Sequence, residues 1–146
     1  MRMRNQLLTM VAAIAILMST QAPSGAEDDA KRLHHAWEDA LLDMEGVLTP
    51  EQTGVLHHLA HQAAVARVCD GFTLNHQAFS DAVNVVVKTN SESLDTAQFI
   101  TRHTDIVMKL GTAYGLFLAE GNLHKDSFCG AATEDRKDTA LPSVWE

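Results

Sequence analysis

The chain has 146 residues, 11 basic and 19 acidic side chains, a formal charge of −8 and two cysteines. One domain is the natural reading at this length, and a hydrophobic content of 46% excludes a globally disordered chain. The excess of acid excludes binding to a phosphate backbone, which needs clustered Lys and Arg, and aromatics at 5% leave aliphatic side chains and alanine to build the core.

Residues 1–26 read as a secretory leader. Arg2 and Arg4 give a positive start, Leu7 to Met18 form an apolar stretch broken only by Thr9, and small and polar residues follow up to Ser24-Gly25-Ala26. That order is the pattern of a signal peptide cut after Ala26, with Thr20-Gln21-Ala22 as an earlier site. The apolar run is short for a membrane span, so an uncleaved anchor is the competing reading. Removing 1–26 takes away Arg2 and Arg4 and leaves nine basic against 19 acidic side chains, a formal charge of −10. Such a domain repels nucleic acid and anionic lipid, and no second long apolar segment follows. The expected organisation is a helical domain over 27–132 and a polar carboxy-terminal tail over 133–146, in the periplasm or the medium.

Hydrophobic spacing points to helices almost throughout. Ala30, Leu33, Trp37, Ala40, Leu41 and Met44 recur at three- and four-residue steps, with Gly46 as a stop. Thr49-Pro50-Glu51-Gln52 offers an N-cap, a proline at the first helical position and a capping-box Gln, and predicts a helix to about Val68. Its apolar face carries Val55, Leu56, Leu59, Ala60, Ala63 and Ala66. Asn75 caps a third helix, with Leu74 and Phe79 as its hydrophobic staple. The β-branched run Val85-Val86-Val87 makes a short strand the minor alternative there. From about Leu94 to Glu120 the spacing predicts one long helix or two joined near Thr104, with Gly121 at the terminus. Gly111 and Gly115 are read as a point of close helix packing. The end, Leu141 to Glu146, frays unless Trp145 docks on the body. The expected fold is all-α, a small bundle of about four main helices with one disulfide.

An exported chain with two cysteines most simply makes one structural bridge, Cys69–Cys129. It closes a loop of about 60 residues, for which chain entropy suggests roughly 4 kcal/mol. A cysteine-bridged helical body with phenylalanine three and ten positions after the first cysteine (Cys69-Asp70-Gly71-Phe72, then Phe79 and Cys129) resembles small periplasmic acid-stress chaperones. The likeness is confined to those residues, and no role is taken from it.

All eight histidines fall after the leader: His34, His35, His57, His58, His61, His76, His103 and His124. His57 and His61, four apart with His58 alongside, could share a Zn²⁺, Cu²⁺ or Ni²⁺ ion. Helical geometry sets these three opposite the apolar face of the second helix, so they are expected to face water or a partner unless that helix is covered on both sides. Full protonation of the eight would bring the processed chain from −10 to near −2, which makes a pH response the other use of the cluster.

Catalytic signatures are missing. His57 is not followed by Glu, so there is no His-Glu-x-x-His. There is no Gly-x-Ser-x-Gly elbow, Gly-rich phosphate loop or Cys-x-x-Cys. His103-Thr104-Asp105 sets His beside Asp without a marked nucleophile, and Asp39 with Asp43 reads as a solvated face. The leading expectation is a non-catalytic binding or interaction protein. Its partner would be another protein rather than nucleic acid or membrane, met by the alanine-rich second helix or the glycine-bearing last one. A metal- or pH-responsive protein using His57, His58 and His61 is the alternative. An enzyme survives only if a pocket gathers residues distant in sequence, such as one holding His103 and Asp105.

Overall fold

A computed structural model describes residues 24–43, 47–138 and 142–146. Over these the chain is all-helical: α1 Ser24–Asp43, α2 Pro50–Val68, α3 His76–Lys88, α4 Thr96–Leu123 and α5 Lys125–Asp135. The predicted leader lies outside the described residues up to 23. Its processing site, Ser24-Gly25-Ala26, is the first turn of α1.

Local chemistry starts the helices. The Thr49 side chain accepts from the Gln52 N–H while the Gln52 side chain reaches back to the Thr49 N–H, with Pro50 at the first helical position. Asn75 Oδ1 accepts from the Ala78 N–H at 2.9 Å and opens α3. Asp95 and Gln98 form a second capping box, so α4 begins at Thr96, two residues after the start the apolar spacing suggested, and runs unbroken through Thr104. The valine run does not make a strand: Val86 and Val87 are buried on α3 and Val85 faces out.

α2 is the hub. It makes its most extensive contact with α4, and α3 and α5 also pack on it. Leu56, Leu59, Ala60, Ala64 and Val65 are all buried. Ala60 meets Ala113 of α4, where two methyl groups let the helices approach closely. At one end of the bundle Leu56 packs with Val86, Val87 and Ile106. At the other, Ala64, Val65 and Cys69 pack with Phe128 and Ala132, flanked by Phe72, Phe117 and Trp145.

Three expectations change. A fifth helix follows α4 directly, held by the Cys69–Cys129 bridge that joins the C-cap of α2 to α5. Gly121 is not a terminus but a buried residue within α4. A Cβ there would lie 3.0 Å from ring carbons of Phe128 and 3.3 Å from Val68 Cγ1, so glycine admits the aromatic ring. Gly111 and Gly115, expected at a close packing point, are exposed, and a Cβ at either would meet nothing within 4 Å. Inside the chain they bring no closeness, although glycine costs a helix about 1 kcal/mol relative to alanine.

The chain end docks. Leu74 and Trp145 form an antiparallel bridge, the Asn75 N–H donates to Val144 O at 2.8 Å, and the Glu146 N–H donates to Thr73 O at 2.9 Å. Val144 is 3% exposed. The Arg136 guanidinium lies 4.2 Å over the Phe72 ring and donates to Gly71 O. The polar stretch 133–146 is therefore the end of α5 followed by a strap across the bundle, in which residues 139–141 lie outside the described residues.

Candidate functional site

The side chains that α2, α3 and α4 leave uncovered form an apolar groove. Ala60 and Ala63 supply its floor from α2, Leu74 and Phe79 close it at the start of α3, and Val107, Leu110, Gly111 and Tyr114 wall it from α4. The hollow is about 330 Å³, within the usual range of ligand clefts. Its origin is local. The floor is alanine, the α4 wall includes a glycine, and α3 touches α4 only lightly, so side chains do not fill the space. Tyr114 brings the one polar side-chain atom among the lining residues. The lining carries no carboxylate, imidazole, amine or thiol, and its shape and composition suit an apolar group.

The predicted histidine cluster lies elsewhere on α2. The expectation that His57, His58 and His61 face water is corrected: all three are half-buried, because α2 is covered on both sides. Ala64 and Val65, which share the histidine side of α2, are buried. The three rings have separate surroundings. His57 stands edge-on to Trp37 of α1, with centroids 5.9 Å apart. His58 Nε2 is hydrogen-bonded to the side-chain amide of Gln62. His61 sits between Phe117 and Phe128, at 5.0 and 5.1 Å. Burial lowers the His57 pKa below its ordinary value, and burial is also the largest influence lowering that of His61. For His61, Asp135 pulls upward and His58 adds a smaller downward push. Among the described residues no three His, Cys, Asp or Glu side chains are grouped to hold a metal ion.

The remaining chemistry-bearing residues do not converge. His103 is exposed and stacks on Phe99. Asp105 lines a different hollow with Arg102 and Asn90, which His103 does not enter. His34 and His35 both pair with Glu38 on the exposed side of α1. The Cys69–Cys129 bridge leaves no free thiol.

Gln62, which sequence reasoning passed over, is the most connected polar group of the region. Its Oε1 accepts from the Val144 N–H at 2.7 Å and its Nε2 donates to Pro142 O at 3.1 Å. Its backbone carbonyl accepts from Trp145 Nε1 at 2.9 Å. The sequence carries no signal for this role, because the coverage that buries the Gln62 amide and obliges it to find partners comes from the fold. No helix among the described residues is long and apolar enough to cross a membrane. Comparison with protein-family models, curated proteins and solved structures finds no match to this chain.

Proposed function

We propose that the chain is an exported, non-catalytic binding protein that takes up an apolar group of another molecule in the groove between α2, α3 and α4. The observation that carries this reading is a preformed hollow of about 330 Å³ lined by apolar side chains, with the Tyr114 hydroxyl as the one polar side-chain group in its lining. Export is supported by the amino-terminal leader pattern and by the disulfide, which persists in oxidising compartments. The test uses the neutral apolar dye Nile red with the chain recovered as the cell processes it. Saturable emission that is abolished by Ala63→Phe, which fills the floor, is the expected result. No saturable uptake, or uptake indifferent to Ala63→Phe, would sink the reading. Amino-terminal sequencing of the same sample should begin at Glu27.

A second reading, a pH-responsive protein, is favoured by one specific observation: His57 and His61 are held among aromatic rings with their pKa values lowered. Asp135, His58, Glu120 and His124 are the other titratable groups around His61. Protonating either ring puts a charge where water is partly excluded. The cost falls on the contacts that tie α1, α4 and α5 to α2.

A further inference from the structure

We infer that the hollow beside the first half of α4 binds a short zwitterionic peptide, with its carboxylate on Arg102 and its ammonium on Asp105. The hollow is about 480 Å³, larger than the apolar groove, and the two share no lining residue. Ala97, Thr101 and Asp105 recur at four-residue steps with Arg102 alongside, so one face of α4 forms its long wall. Val47 lines it from the connection before α2, and Asn90 and Leu94 from the connection before α4.

Arg102 is the residue that calls for a ligand. Its guanidinium is held by two backbone carbonyls, Nη1 donating to Val47 O and Nη2 donating to Thr89 O at 3.1 Å. Nε is buried and has no hydrogen-bond partner. Neither carbonyl is charged, and among the described residues no carboxylate pairs with this cation. A guanidinium has five N–H donors, so the Nε–H and one hydrogen on each η nitrogen remain unspent. A buried donor without an acceptor is costly, and a carboxylate supplies two acceptors in the planar fork that a guanidinium fits.

Charge and spacing select the occupant. A simple anion would meet Asp105 in the same hollow and a chain of formal charge −8 around it. A simple cation would meet Arg102. A zwitterion answers both side chains and brings no net charge. Residues three apart on a helix have Cβ atoms about 5–6 Å apart, and two residues of extended chain span at most about 7 Å. The two ends of a dipeptide therefore match the step from Arg102 to Asp105, whereas a free amino acid holds both charges on one carbon. Val47, Leu94 and Ala97 give apolar surface to its side chains, and the Asn90 amide offers a donor and an acceptor to its peptide unit.

An NMR titration with alanyl-leucine tests this, using the isotope-labelled chain expressed with its leader and recovered as processed. Saturable shifts are expected at the amides of Asn90 and of Thr101 to Asp105. Asp105→Asn should weaken the binding by about tenfold or more, and its thermal midpoint checks that the fold is kept. Acetylating the peptide's amino group should weaken binding to the unsubstituted chain by a similar factor. In Asp105→Asn the free and acetylated peptides should bind alike, because the group that reads the ammonium is gone. Arg102 also ties two connections to α4, so its part is read on the ligand side: alanyl-leucinamide, which lacks the carboxylate, should bind about tenfold more weakly. No saturable shift at millimolar peptide, or binding indifferent to Asp105→Asn, overturns the inference. Equal binding of free leucine and the dipeptide overturns the assignment of a peptide.

Discussion

Gln62 anchors the carboxy terminus of the chain. Its amide is oriented by two opposed demands, a Val144 N–H to accept from and a Pro142 carbonyl to donate to. Replacing it with leucine keeps the volume and leaves the buried Val144 N–H without its acceptor. A buried group stripped of its partner costs about 1–3 kcal/mol. Gln62→Leu should therefore lower unfolding stability by about 2 kcal/mol, and the amides of Asn75 and Val144 should exchange faster than those of α4. A stability loss without faster exchange at those two amides would assign the cost to packing rather than to the strap. The residue-level histidine geometry was only half legible. The i, i+4 spacing placed His57 and His61 on one side of α2, and the helix is where it was expected. What covers that side, Trp37 from α1 with Phe117 and Phe128 from α4 and α5, comes from elements brought there by the whole fold.

At the scale of the element, start signals were the most legible feature, because a cap is a contact between neighbours in sequence. The Thr49 and Asn75 caps stand where their side chains implied. Glycine was the least legible, because its meaning depends on what lies across from it. Gly121 and Gly54 both sit inside helices, yet a Cβ at Gly54 meets nothing within 4 Å while one at Gly121 meets Phe128 at 3.0 Å. Gly54→Ala should raise stability by about 1 kcal/mol through helix propensity alone. Gly121→Ala gains the same propensity but overpacks a site bounded by an aromatic ring and Val68, a cost of about 1–3 kcal/mol. Its expected outcome is a net loss. Denaturant melts of the two variants check the pair, and equal stabilisation by both would mean that α5 does not press on α4 at this point. The same dependence explains α5. Its sequence, polar after Cys129, carries little helical periodicity, and the helix is held instead by Phe128, Ala132 and the bridge to Cys69.

For the molecule as a whole, acid is the informative perturbation. His57 and His61 have folded-state pKa values lowered by burial, whereas in the unfolded chain they titrate near 6.5. Below that value the unfolded state binds protons that the folded state refuses. The stability they contribute is complete above pH of about 6.5 and is lost as pH falls through the lower folded values. Thermal melts at pH 7.5 and pH 5 should show a drop in midpoint on the acid side, and His57→Gln with His61→Gln should reduce that drop. A drop of unchanged size in the double variant would place the acid sensitivity in other groups and remove the pH-responsive reading. Because the two rings touch α1, α4 and α5, the loss is expected to be global rather than confined to one helix.

The sequence by itself determined the class of the fold, the starts of α2 and α3, the extent of α2, and the pairing of Cys69 with Cys129 as the one bridge two cysteines can make. Each of these depends on periodicity, on capping between neighbours, or on counting. Only the tertiary structure decided which sides of α2 are covered, that the chain end is tied down by Gln62 and Arg136, and that the space beside Ala63 and Gly111 stays open. Those outcomes depend on which surfaces meet across dozens of residues. A helix reports its own period along the chain, but its neighbours and its gaps are properties of the packing.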